Sequence, residues 1–188
     1  MKIRLATDQI QRDSIVDGEG IRSVIWTQGC VHNCMGCHNP ETHSFTSGYL
    51  VDVEDIMKKI DSLEGQDGIT FSGGDPMEQS EACYKIAKYC KKKGLDVWCY
   101  TGYTFEELLE RSKHFPYIKN FLSVIDVLVD GKFILEQKSL NLKFKGSKNQ
   151  RIIDVPRSLK ENKVCLIPEY MQEKNYEKLA KKSHYMYV

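Results

Sequence analysis

The apolar positions of this chain alternate between two spacings, one suited to strands and one to helices. Ile21-Arg22-Ser23-Val24-Ile25-Trp26-Thr27 is rich in branched and aromatic residues and predicts a first inner strand. Val53, Ile56, Met57, Ile60 and Leu63 then recur at helical spacing, ahead of a second strand over Gly68-Ile69-Thr70-Phe71-Ser72. Cys83, Ile86, Ala87 and Cys90 mark one face of the next helix, and Leu95 to Tyr100 predicts a third strand. Thr104 and Glu107 have capping-box spacing for a helix carrying Phe105, Leu108 and Leu109, and Val124 to Val129 predicts a fourth strand. Beyond Val155 the pattern weakens: Lys163 to Ile167 could add a strand, and Tyr170 to Lys182 could form a helix with Tyr176, Leu179 and Ala180 inward. Strands alternating with helices predict an α/β fold with a parallel sheet. There are too few such units for a complete eight-fold barrel, so an open, incomplete parallel β/α barrel or curved sheet is expected.

Glycine and polar residues gather where the predicted strands hand over to loops. Gly73-Gly74-Asp75-Pro76, Thr101-Gly102-Tyr103 and Asp130-Gly131-Lys132-Phe133 follow the second, third and fourth strands. In folds of this kind that edge carries the active site. The first strand leads into Gly29-Cys30-Val31-His32-Asn33-Cys34-Met35-Gly36-Cys37-His38, where three cysteines fall within eight residues.

The 188 residues fit one domain, able to bury roughly 70% of its extended surface, with no linker or repeat to divide it. Lys and Arg total 27 against 26 for Asp and Glu, a formal charge of +1 that suggests neither nucleic-acid wrapping nor an acidic tail. The first residues lack a signal-peptide pattern and no apolar run reaches membrane-spanning length, so a cytoplasmic protein without membrane contact is expected. In such a compartment seven cysteines, three of them crowded together, favour metal binding over disulfides. Cys30, Cys34 and Cys37 supply one ligand too few for a closed four-cysteine site, which leaves a metal position open to a substrate or cofactor. A zinc site completed by His32 or His38 is the simpler rival, and it leaves Gly73-Gly74-Asp75-Pro76 unexplained. An iron–sulfur electron carrier would need a fourth cysteine near the triad.

Cys-x3-Cys-x2-Cys after the first strand, with Gly-Gly-Asp-Pro ending the next, resembles the radical S-adenosylmethionine superfamily. Further segments from about Asp13 to Val155 narrow the resemblance to activating proteins of anaerobic ribonucleoside-triphosphate reductases. These are Asp13 to Arg22, Asn39-Pro40, Thr101-Gly102-Tyr103, Val129 to Phe133 and Lys145 to Asp154. The resemblance implies an open β/α barrel of the radical S-adenosylmethionine type, with a core over about 13–155 and a C-terminal extension over 156–188. It also implies a [4Fe-4S] cluster on Cys30, Cys34 and Cys37, whose fourth iron is chelated by S-adenosylmethionine. Reductive cleavage of that cofactor would remove a hydrogen from a glycine in a C-terminal loop of the reductase catalytic subunit, with flavodoxin or ferredoxin as reductant. Activases of pyruvate formate-lyase type are the nearest competing reading, but they carry Asp-Thr-Asn-Gly where this chain has Tyr100-Thr101-Gly102-Tyr103. Small-molecule radical enzymes are the other same-class rival.

By the same resemblance the cofactor cradle would comprise Gly36, Cys37, His38, Ser72, Gly73, Gly74, Asp75, Thr101, Gly102, Asp130 and Lys132. The Asp75 carboxylate would accept from the cofactor ammonium, Thr101 and Gly102 would line the ribose, and Asp130 and Lys132 would meet the ammonium and carboxylate. Many superfamily members place an aromatic residue before the third cysteine. This chain has Gly36 there, so His38 is the candidate for adenine. A plain turn is the alternative for each glycine segment. The basic run Lys143, Lys145, Lys148 and Arg151 reads as a solvated face, or as a partner-docking one. Cys83, Cys90, Cys99 and Cys165 read as core packing.

Overall fold

The computed structural model describes residues 1–172. Its centre is a mixed sheet of eight strands. They are β1 (Lys2–Leu5), β2 (Gln11–Ser14), β3 (Arg22–Thr27), β4 (Tyr49–Asp52), β5 (Gly68–Gly73), β6 (Asp96–Tyr100), β7 (Val127–Asp130) and β8 (Arg151–Asp154). They lie in the order β4-β1-β3-β5-β6-β7-β8, with β2 also paired to β3. The wholly parallel sheet expected from the alternation is corrected: only β3, β5, β6 and β7 run parallel to one another. β1, β2, β4 and β8 each pair antiparallel. The parallel strands are those separated by crossover helices, as parallel pairing requires.

The helices are α1 (Val53–Asp61), α2 (Ser80–Lys92), α3 (Phe105–Arg111), α4 (Pro116–Leu122), α5 (Val155–Glu161) and the short α6 (Pro168–Met171). The Thr104 hydroxyl accepts from Glu107 N while the Glu107 side chain accepts from Thr104 N, so the capping box is formed. The fourth predicted strand begins later than expected, because Val124 N donates to Phe121 O and closes the turn after α4. Lys163 to Ile167 forms no strand of its own. Leu166 makes a single antiparallel bridge to Ile153, and Pro168 then opens α6. Of the helix expected over Tyr170 to Lys182, Tyr170 and Met171 lie in α6 and Gln172 has left it. The remainder falls outside the described residues.

Strand side chains alternate between two faces. On one, Ile25, Ile69, Phe71, Val97, Cys99, Leu128 and Ile153 are buried in one core with Ile56, Ile86 and Phe121 of the helices. Each such side chain contributes about 1.5–3 kcal/mol. Cys83, Cys90 and Cys99 belong to this core, where burial pushes the Cys90 thiol up to about 12. On the other face Trp98, Val129 and Ile152 pack with Tyr170. Arg22, also on this face, has no exposed surface. It donates to Thr70 Oγ1 (2.8 Å), Glu19 O (2.9 Å) and Ile69 O (3.0 Å), and pairs with Asp96. A buried charge needs such partners. Gly18, at φ +133°, lies so close that a Cβ would come within 2.8 Å of Arg22 Cδ. Residues 15–21, between β2 and β3, therefore form a turn packed around a buried guanidinium.

Candidate metal centre

The cysteine loop leaves the C-terminal end of β3 and is tied at its base. Gly29 N donates to Thr42 O (2.8 Å), Cys30 N to His43 O (3.1 Å), and the Gln28 side chain to Glu41 O and Ser44 O. Within the loop Cys37 N donates to Cys34 O (3.1 Å). Asn33 (φ 47°) and Gly36 (φ 70°) adopt the left-handed turns that coil it.

Cys30, Cys34 and Cys37 are unpaired, half-buried thiols lining one cavity of about 120 Å3 with Ser72, Gly73, Gly74, Thr101, Gly102 and Gly131. The strand ends are packed hard against the loop. Gly74 N donates to Thr27 O and Asp75 N to Gly29 O, both at 2.8 Å. A Cβ on Gly73 would overlap the Thr27 backbone, and one on Gly74 the Gly29 backbone. Burial, with a smaller contribution from Asp75, pushes the Cys30 thiol up to about 11. A cation bound to the sulfur reverses that preference, because metals take the thiolate. Among the described residues no three His, Cys, Asp or Glu side chains converge on a single-ion site. A cluster does not require that, since each thiolate binds a different iron. The donor set fits a cluster: three thiols line a small cavity together with the strand-end backbone of Gly73, Gly74 and Gly102 and the side chains of His32, His43, Tyr100, Phe133 and Gln150.

A second cavity of about 560 Å3, on the face of the sheet that carries Trp26, shares Cys37, Ser72, Tyr100, Phe133 and Gln150 with the first. Trp26, His38, Tyr100 and Phe133 are among its walls, and the His38 and Phe133 rings stand 4.9 Å apart. Its volume lies in the range of small-molecule pockets. Register explains the placement: Trp26 pairs with Ser72, and Tyr100 extends the same face from β6.

The predicted cradle residues divide between cavity walls and supporting positions. Gly73, Gly74, Thr101 and Gly102 line the smaller cavity, His38 the larger, and Ser72 and Cys37 both. Asp75 lines neither; it is 1% exposed, and its carboxylate accepts from His32, Thr101, Gly102 N and Met77 N. Asp130 is likewise 1% exposed, accepting from Arg151 at 2.5 and 3.0 Å and from Phe105 N at 2.7 Å. It fastens the turn at Gly131. Lys132 and Gly36 are exposed and line neither cavity, and a Cβ on Gly36 would come within 2.9 Å of Leu135 Cδ1. Of the basic run, Arg151 also pairs with Glu106, and Lys143 lies over Phe144 and Tyr170 on the wall of the larger cavity. Gln150, not singled out from sequence, lines both cavities and clamps the turn, accepting from Gly146 N (2.8 Å) and donating to Gly131 O (3.0 Å). An uncharged residue inside a basic run was the signal available.

Residues 16–153 match the family described as a 4Fe-4S single cluster domain. An anaerobic ribonucleoside-triphosphate reductase-activating protein of Vibrio cholerae is 38% identical over 148 residues, covering 73% of this chain and 90% of that protein. The chain belongs to this activating-protein family. A member from Haemophilus influenzae is 36% identical over 150 residues, with the same two coverages, 73% and 90%. The bacteriophage T4 member is 31% identical over 153 residues, 77% of this chain and 91% of the phage protein. The iron–sulfur domain assigned to the family spans the cysteine loop and the strand ends that face it. Among the described residues, no helix of this family member is long and apolar enough to cross a membrane.

Proposed function

We propose that Cys30, Cys34 and Cys37 hold a [4Fe-4S] cluster, that S-adenosylmethionine binds its open iron, and that the protein activates an anaerobic ribonucleoside-triphosphate reductase. The observation that carries this reading is the shared wall: Cys37 and Ser72 belong both to the three-thiol cavity and to the adjoining 560 Å3 cavity. When bound, the reduced cluster and cofactor supply one-electron cleavage of the sulfonium and an adenosyl radical that takes a hydrogen atom from glycine.

The chain's own residues bind, orient and shield. Ser72 to Gly74 and Thr101-Gly102 offer bare backbone and a hydroxyl to the polar methionine end, while His38, Phe133 and Tyr100 offer ring surface to the adenine. Asp75 and Asp130 act behind the cavities by holding these turns in place. Holding reactants in a fixed geometry is the larger part of what a protein adds to cofactor chemistry. The substrate is a glycine-bearing loop near the C terminus of the reductase subunit, since a residue without Cβ lets a second protein approach its backbone closely. A flavodoxin or ferredoxin supplies the electron, in the cytoplasm. The face that carries Trp26 is read as the inside of an open, incomplete barrel, and residues 1–188 as one domain. Support comes from a single sheet that runs from Lys2 to Asp154.

Anaerobic reconstitution is expected to give about four irons per chain, and dithionite with S-adenosylmethionine to release 5'-deoxyadenosine. Cys34→Ala is expected to lose both. Intact S-adenosylmethionine beside a reduced cluster would overturn the reading.

A further inference from the structure

His32, between the first two cysteines, lines the three-thiol cavity and is tied through Nε2 to the turn after β5. Its side chain is 5% exposed, and Nε2 stands 2.7 Å from Asp75 Oδ2. An ionised carboxylate only accepts, so Nε2 carries the proton and donates. The same Oδ2 accepts from Thr101 Oγ1 and Gly102 N, each at 2.9 Å. The imidazole meets the Tyr103 ring edge-on at 4.4 Å, and Tyr103 OH in turn donates to Glu78 at 2.5 Å. A Cβ on Gly102 would come within 2.7 Å of His32 Nε2, so glycine is needed there to admit the ring. Among the described residues, His32 to Asp75 is the one hydrogen bond that joins residues 31–36 to the sheet.

We propose that His32 is a positioning residue: anchored on Asp75, it latches the cysteine loop onto the ends of β5 and β6 and holds the three thiols in place before the cluster is built. Its purpose rests on the cluster reading above, but the latch itself belongs to the protein without iron. Asp75 is thereby the common acceptor for three elements, the cysteine loop, the end of β5 and the end of β6, and Gly102 is explained by the imidazole rather than by a ribose.

The test compares wild type, His32→Phe, which keeps ring volume, His32→Gln, which keeps a donor, and Asp75→Asn. In the iron-free protein, alkylation of half-buried Cys30 is expected to be at least tenfold faster in His32→Phe, with intermediate values in His32→Gln and an unchanged rate at core Cys83. In reconstituted protein, loss of iron to a chelator is expected to accelerate at least tenfold in His32→Phe, and the EPR line shape of the reduced cluster to change. Adding His32→Phe to Asp75→Asn is expected to change the chelator rate less than twofold. Wild-type alkylation of Cys30 in His32→Phe, or a full tenfold effect in the Asp75→Asn background, would overturn the latch. Wild-type protein that takes up no iron would overturn the cluster reading alone, and the alkylation arm would still decide the latch.

Discussion

Gly73 and Gly74 are glycine because the loop backbone of β3 lies where their side chains would be. Gly74→Ala is therefore expected to push Gly29, and Cys30 with it, away from the strand end. Iron retained after reconstitution should fall by more than half. Gly65→Ala, at positive φ but with nothing within 4 Å of its Cβ, should cost only about 1 kcal/mol and leave iron uptake unchanged. Iron analysis of the two variants checks both. The Cys30 thiol, raised by burial to about 11, must lose its proton when a metal binds. Iron uptake should quicken as pH rises from neutrality, and a flat profile would count against thiolate ligation at Cys30. The cysteines were legible in the sequence because ligands on one short loop are neighbours along the chain. The destination of the Asp75 carboxylate was not. Its donors come from the cysteine loop, from Met77 and from the end of β6, and only the fold brings them together.

At the scale of elements, long periodic segments were legible and the short antiparallel strands were not. α1, α2 and the inner strands carry enough apolar positions to declare their period, whereas β1, β2, β4 and β8 are four residues each. β2 in particular reads Gln-Arg-Asp-Ser, with no alternation to detect. The link between β7 and β8 places Asp130 against Arg151, a pair half hidden behind the site. Removing one partner of a buried pair leaves an uncompensated charge and costs about 3–5 kcal/mol. Arg151→Met is expected to lose stability at the lower end of that range, since Phe105 N still donates to Asp130. Adding Asp130→Asn should restore part of the loss, as measured by urea denaturation. Equal instability in the single and double variants would show that the pair is not what holds the turn.

Over the whole molecule the sheet separates two tasks. One face buries an apolar core under the helices, and the other leaves Trp26, Ser72 and Tyr100 beside the cysteine loop. The alternation of strands and helices announced the first task, and the residues at the strand ends announced the second. Which strand ends meet was settled by register, which a single sequence does not display. The larger cavity opens beside exposed Ile15 and Val16, 71% and 69% accessible, so its mouth presents apolar surface to an incoming chain. The most direct measurement is EPR on the reconstituted, reduced protein mixed anaerobically with S-adenosylmethionine and the catalytic subunit of an anaerobic ribonucleoside-triphosphate reductase. A glycyl-radical signal is expected that requires Cys30, Cys34 and Cys37 and disappears when the glycine of the subunit's C-terminal loop is replaced by alanine. No signal with that subunit, and a signal with a different glycyl radical enzyme, would contradict it.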